Sequence, residues 1–135
     1  MAVTITTSPK GNNRKVQAAS ANFVVPSSST AGSKNSTVRI PYGASVIGVV
    51  CKTNVALAGG TNVTVKIGDA EGGSAVAITA AIITADLNAA LKQDMSVAVA
   101  PAGLTDAALS SGLISITTTG TYSACDIDVT VIYVA

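Results

Sequence analysis

The chain contains no histidine and no tryptophan, and it has only one phenylalanine and three tyrosines among 135 residues. Without histidine it lacks the commonest general base, the usual imidazole metal ligand and every Ser-His or Cys-His nucleophile pair. With so few aromatic rings it also lacks the stacking platforms that bind single-stranded nucleic acids. We therefore predict that the chain is not an enzyme, that it holds no cofactor or metal, and that nucleic acid is not its partner.

Long apolar runs are also missing. No stretch reaches the roughly 20 apolar residues that a membrane-spanning helix needs. The first ten residues alternate instead of forming a basic and then an apolar segment, and no lipidation motif is present. Neither an export signal nor a membrane partner is predicted.

Cysteine is scarce, with Cys51 and Cys125 far apart in the chain. Each shares strand parity with apolar residues, which predicts that both side chains point inward as free, buried thiols. A disulfide is the alternative if the two strands are neighbours.

Charged residues make up only 11% of the chain, against roughly 25% in a typical soluble domain. They are also segregated: the first 68 residues carry seven of the eight basic side chains and sum to +7, whereas the remainder sums to −6. Complementary charges of this kind favour contacts between copies or with a partner protein. Chance segregation of a few charges is the alternative.

The apolar pattern predicts an all-β fold. Val63, Val65 and Ile67 alternate with polar residues, and so do the apolar residues of 126–135. Several short strands separated by turn residues indicate an antiparallel β-sandwich or a jelly-roll-like domain. Thr84–Gln93 is the exception, because an N-cap candidate and two leucines four apart predict one short helix there.

We predict two segments: an extended basic N-terminal arm with a Ser-rich linker over 1–36, and the β-sandwich domain over 37–135. Residues 26–36 fit equally well a surface loop inside the domain. The Ala- and Ile-rich run 75–83 has no polar alternation and is predicted to be buried on both faces, either under the second sheet or against a neighbouring subunit.

Two charged sets are candidate partner-binding residues. The arm set is Lys10, Arg14, Lys15, Lys34 and Arg39, and the acidic set is Asp126, Asp128, Asp69 and Glu71. Asp126 and Asp128 are also the best candidates for a catalytic carboxylate pair. However, the chain has too few aromatic residues to line the cleft of a glycosidase. Asp69 and Glu71 do not have the spacing of a twelve-residue calcium loop.

Three runs resemble small virion proteins of tailed phages: Val38-Arg-Ile-Pro-Tyr-Gly-Ala-Ser-Val-Ile-Gly-Val-Val50, Asn62-Val-Thr-Val-Lys-Ile-Gly-Asp69 with Gly72-Gly73, and Asp128-Val-Thr-Val-Ile-Tyr133. In such proteins a strand ends in Pro-x-Gly-Ala, and a later strand ends in Ile-Gly-Asp before a Gly-rich tip. The resemblance covers about 37–135. It implies a capsid decoration (cement) protein or a head-fibre type β-domain, without enzymatic activity.

The resemblance sets the functional expectation. It implies a homo-oligomer, a trimer in related proteins, that binds the major capsid protein on the outer surface of the virion after assembly in the host cytoplasm. The alternative is a phage tail or fibre module, or a surface adhesin that binds a host receptor. A small hydrolase is a third class and would need a carboxylate pair in a pocket.

Overall fold

A computed structural model describes residues 15–25, 32–41, 43–89, 91, 94–99 and 112–135. Within these ranges the chain forms ten strands and one helix. In chain order they are β1 (Val16–Val25), β2 (Gly32–Arg39), β3 (Ser45–Thr53), β4 (Ala58–Gly59), β5 (Asn62–Ile67), β6 (Val76–Ala77), β7 (Ile82–Ile83), α1 (Thr84–Ala89), β8 (Met95–Val97), β9 (Leu113–Thr119) and β10 (Tyr122–Val134).

The strands form two antiparallel sheets that pack face to face. Sheet 1 has the order β1-β10-β3-β8, with β4 beside β10, and sheet 2 has the order β2-β9-β5-β6, with β7 beside β5. The strand pairs are nested in sequence order, starting with the first and last strands: β1 pairs with β10, β2 with β9, β3 with β8 and β5 with β6. A long antiparallel pair rolled into two sheets in this manner is a jelly roll. The predicted all-β antiparallel sandwich is confirmed.

This winding changes the meaning of the charge segregation. The sign of the charges switches between Lys66 and Asp69, which is the turn between β5 and β6 at the centre of the rolled pair. Strands from the basic half therefore pair with strands from the acidic half, and Lys52 of β3 lies directly opposite Asp128 of β10. The two halves are interleaved and do not form two ends of opposite charge.

The core consists of aliphatic side chains from the inner faces of both sheets. Val63, Val65 and Ile67 of β5 are buried, as their alternation predicts. The inward residues of β10 are buried too, and they include Ile127 and Val129. Alternation along a strand places every second side chain on the same face, so each sheet keeps an outer face exposed to solvent.

Both cysteines are buried and free, as expected. Cys51 lies opposite Val129, and Cys125 lies opposite Val25, so the two thiols occupy different rows of sheet 1. Burial raises the pKa of each thiol to about 11. Parity predicts the same inward direction for Ile47, but this is wrong. A register shift where β3 pairs with Ile132 and Tyr133 turns Ile47 outward, and its side chain is 54% exposed.

The predicted helix is present but shorter, spanning Thr84–Ala89. Hydrogen bonds attach it to sheet 1 and to the loop before β4: Thr53 Oγ1 donates to the carbonyl of Leu87 at 2.7 Å, and the backbone N–H of Leu57 donates to Asn88 Oδ1 at 2.7 Å. Among the described residues, no helix is long and apolar enough to cross a membrane.

The predicted boundary between residues 36 and 37 lies inside β2, and β1 pairs with β10 along its whole length. The described part of the predicted arm, 15–25 and 32–36, therefore belongs to the sandwich. The strand alternation in these segments is weak because β1 carries alanine or serine at four consecutive positions, 18–21. Residues 1–14 and 26–31 lie outside the described residues. Within one chain the run 75–83 is not buried on both faces, since Ile82 is buried and Ile83 is 50% exposed. Burial of this run against a neighbouring subunit stays a prediction.

Candidate protein-binding surface

The outer face of sheet 1 changes from acidic to apolar along its central strand. β10 presents Asp126, Asp128, Thr130, Ile132 and Val134 on this side, while its intervening residues are buried. On β1, Asn22 lies opposite Asp128 and Val16 lies opposite Val134, while Val24, opposite Asp126 at the acidic end, is also 51% exposed. We call this surface, made by the outward residues of β1, β10 and β3, the outer face of sheet 1.

At the acidic end, amide side chains hold the two carboxylates. Asn22 Nδ2 donates to Asp126 Oδ1 and to Asp128 Oδ1, each at 2.7 Å, and Asn54 Nδ2 donates to Asp126 Oδ1 at 3.0 Å. Lys52 lies beside Asp128 on the next strand. Both carboxylates point outward from one strand and do not face each other across a cleft. This geometry suits contact with a partner surface and does not suit acid–base catalysis.

At the apolar end, two large side chains are open to solvent: Val16 is 67% exposed and Ile47 is 54% exposed. Gly48 lies opposite Ile132, and a Cβ at Gly48 would touch the Ile132 side chain at 3.5 Å. That distance is an ordinary van der Waals contact, so Ile132 packs beside β3 at this position. The apolar end is therefore an exposed surface that no loop or helix of the described residues covers.

The other two residues of the predicted acidic set do not join Asp126 and Asp128. Asp69 and Glu71 lie in the loop after β5, in sheet 2. Their carboxylates bind Asn35 of β2: Asn35 Nδ2 donates to Asp69 Oδ1 at 2.7 Å, and the backbone N–H of Asn35 donates to Glu71 Oε1 at 3.0 Å. The hydrogen bond from Asn35, together with one from the backbone of Gly72, lowers the pKa of Asp69. Asp69 and Glu71, bound to Asn35, therefore fix the turn after β5.

Asn35 closes this turn from the other side as well. Its Oδ1 accepts hydrogen bonds from the backbone N–H groups of Ala70 at 2.9 Å and Glu71 at 3.3 Å. Sequence analysis missed Asn35 because it lies in a Ser-rich stretch, 34 residues before Asp69. Nothing in the local pattern indicates a contact at that separation.

The predicted arm set is not brought together. Lys15 is exposed beside the end of β10, where its backbone pairs with Ala135, whereas Lys34 and Arg39 are exposed on β2 in the other sheet. Lys10 and Arg14 lie outside the described residues. A single basic arm surface is therefore not formed by Lys15, Lys34 and Arg39.

A depression of about 240 Å³ lies between α1 and β8, lined by Ala80, Ile82, Asp86 and β8 residues. Among the residues that the structure describes, Asp86 is the one carboxylate that lines it. Within the described ranges, no three Cys, Asp or Glu side chains converge to hold a metal ion. An adhesin could present the loops 68–73 and 101–106 for recognition. The first is the turn that Asn35 fixes, and the second lies outside the described residues.

Comparison with known proteins gives no relatives: no family model, no curated protein and no solved structure matches the chain.

Proposed function

We propose that the chain is a structural protein of a tailed-phage virion, a decoration protein that binds the outer surface of the capsid as an oligomer and stabilises the shell. Three observations support this proposal: the resemblance of residues 37–135 to small virion proteins, the jelly-roll strand order and the low charge of the surface. Jelly rolls occur in viral capsid proteins, but the fold also serves many other functions. The proposal therefore depends on the chemistry of the surface and not on the fold.

The observation that carries it is the outer face of sheet 1. An open face with Val16 and Ile47 at one end and Asp126 and Asp128 at the other offers apolar area for affinity and carboxylates for orientation. A protein that binds only the assembled lattice stabilises that lattice by its difference in affinity between the two states. Decoration requires no chemistry beyond this.

The test uses shells assembled from the major capsid protein of the phage that encodes the chain. The purified chain should sediment with these shells and raise the midpoint of their thermal disassembly. Ile47→Lys places a charge on the outer face of sheet 1 and should weaken sedimentation with shells at least about tenfold, since a desolvated lysine at an interface is strongly unfavourable.

Ile83→Lys is the matched control, because Ile83 has nearly the same exposure, 50% against 54%, but lies on β7 beside sheet 2. This variant should bind shells as the wild type does. Absence of the wild-type chain from shells contradicts the proposal. Recovery of the chain in purified tails, or its binding to host cells, would instead support a tail, fibre or adhesin function.

A further inference from the structure

Strand β1 forms one edge of sheet 1, and the direction of its unpaired backbone groups can be read from the ladder. The backbones of Lys15 and Ala135 exchange two hydrogen bonds, N–H to carbonyl at 2.9 Å and 3.2 Å. In an antiparallel ladder such pairs alternate with pairs whose N–H and C=O groups point away from the partner strand. The regular register of β1 and β10 therefore directs the backbone groups of alternate residues toward the open edge, namely Val16, Ala18, Ser20, Asn22 and Val24.

The other edges of the sandwich carry features that discourage pairing with a further strand. The outer strand of sheet 2, β2, carries Lys34 and Arg39 and has a register shift between Asn35 and Arg39. The opposite edges are short: β8 has three residues, and β6 and β7 have two each. Charges, bulges and short length are the usual protections of edge strands.

β1 has none of these protections. It runs for ten residues, pairs with β10 without a register shift, and contains no charged residue, proline or glycine. Among the described residues, nothing pairs with its open edge. A long, regular, uncharged edge is a template for another strand.

We propose that the occupant of this edge is β1 of a second copy, paired antiparallel across a two-fold axis with Ser20 opposite Ser20. In this register every residue that directs its backbone groups outward meets another such residue, so all of these groups form hydrogen bonds. Val16 lies opposite Val24 of the second copy, and Ala18 lies opposite Asn22. The two most exposed apolar side chains of β1, 67% and 51% exposed, thus cover each other.

Charge and area agree with this pairing. β1 carries no charge, so two copies approach without repulsion between strands. A ten-residue strand is about 34 Å long, and the strip that it buries is smaller than the roughly 800 Å² per partner of a standard interface. We therefore expect a reversible dimer that forms in the micromolar range, not an obligate one.

The dimer extends the outer face of sheet 1 across both copies, because the axis is perpendicular to the sheet. The inference does not depend on capsid binding, since the pair forms from the purified chain alone. It does replace the trimer that the resemblance implies with a two-fold assembly.

The experiment is sedimentation velocity of the full chain over protein concentrations from about 5 to 500 µM, a range chosen for an interface below standard size. The wild type should change from monomer to dimer. Ser20→Lys places two lysines directly opposite each other and should raise the dimer dissociation constant at least about tenfold. Its side chain points to solvent, so the sandwich should still unfold cooperatively.

Thr130→Lys is the matched control. Ser20 Oγ and Thr130 Oγ1 are 2.7 Å apart, so both variants lose the same hydroxyl pair and gain the same charge, but Thr130 lies on β10, one strand away from the edge. This control should change the dissociation constant by less than about threefold. A mixture of Ser20→Lys and Ser20→Asp should form a heterodimer about as readily as the wild type, because opposite charges then face each other.

Dimerisation of the wild type, its loss in Ser20→Lys and its recovery in the mixture together support the inference. A wild type that stays monomeric at the highest concentration or forms a trimer overturns it. So does a Thr130→Lys variant that dissociates as strongly as Ser20→Lys, or a mixture that fails to associate. None of these results bears on whether the chain binds shells.

Discussion

The side-chain Nδ2 of Asn35 donates a hydrogen bond of 2.7 Å to Oδ1 of Asp69, joining the edge strand β2 to the turn at the centre of the rolled strand pair. Oδ1 of the same amide accepts a hydrogen bond from the backbone N–H of Ala70. One side chain therefore satisfies groups that the turn leaves unpaired. The Ile-Gly-Asp sequence before a Gly-rich tip thus has a structural role here.

Replacing Asn35 by alanine should lower the free energy of unfolding by about 1–3 kcal/mol, because several hydrogen bonds to a partly buried turn are lost together. Urea unfolding measures this change. The control is Asn54→Ala, which removes a single exposed hydrogen bond to Asp126 and should lower it by less than about 1 kcal/mol. Equal losses in the two variants would contradict the role assigned to Asn35.

Stability should fall in acid through Asp69. Its pKa is lowered in the folded chain by the hydrogen bonds from Asn35 and from the backbone of Gly72. A carboxylate whose folded pKa lies below its unfolded one contributes stability above the unfolded value, near pH 4. That contribution is lost as the pH falls through the lowered pKa. Thermal unfolding between pH 2 and 7 should show this loss, and the loss should be smaller in Asp69→Asn.

Gly60→Ala should destabilise the chain much more than Gly73→Ala. Both glycines have a positive φ, +66° and +82°, so each substitution carries a backbone cost of about 1–2 kcal/mol. A Cβ at Gly60 would also overlap the ring of buried Tyr122, whereas Gly73 has open space around it. We expect a further loss of about 1–3 kcal/mol at Gly60 from this overpacking. Guanidinium unfolding of both variants measures their free energies of unfolding. Similar losses in the two variants would show that the Tyr122 ring moves aside at little cost.

The buried thiols should react slowly in the folded chain. At pH 8 a thiol with the ordinary pKa of about 8.5 is roughly one-quarter ionised, whereas Cys51 and Cys125, with a pKa of about 11, are ionised to about one part in a thousand. Alkylation should therefore be at least about a hundredfold slower in the folded than in the urea-unfolded chain. Because the folded pKa is raised, the related stability is present below about pH 8.5 and declines as the pH rises toward 11. Rapid labelling of the folded chain would contradict the burial of both thiols.

Truncations test where the folded unit begins. Removing residues 1–14 leaves every described strand in place and should preserve cooperative unfolding. Removing residues 1–36 deletes β1 with its buried Phe23 and more than half of β2, so that β9 and β10 lose partner strands. We expect this shorter chain to lack a cooperative transition, as followed by circular dichroism during heating. Cooperative unfolding of the shorter chain would restore the boundary predicted at residue 36.

The sequence predicted the architecture where alternation was strong. Val63, Val65 and Ile67 pointed to β5, and the alternation in 126–135 pointed to β10. Prediction was weakest where alanine and serine replaced larger apolar residues, as in β1, because small side chains leave little contrast between the two faces. The outward turn of Ile47 depends on a register shift against β10, and no local pattern contains that information.

The charged candidates show a second limit. Asp126 and Asp128 share a surface because two positions along one strand suffice to place them together. Asp69 and Glu71 were grouped with them on sign alone, and the structure places them in the other sheet. Charge segregation along a chain says nothing about segregation in space until the order of the strands is known, and a jelly roll brings the two halves together.

Lys15 and Ala135 are hydrogen-bonded neighbours at one corner of the sandwich. A short linker between these two residues would convert the β1–β10 pair into a hairpin, so that the chain could be reopened at the exposed loop around Gly73 without breaking a strand. A peptide attached to Ala135 would emerge beside Lys15 at that corner. The fold thus offers a single attachment point for display of foreign sequences, and that point is adjacent to the start of the strand proposed to pair the copies.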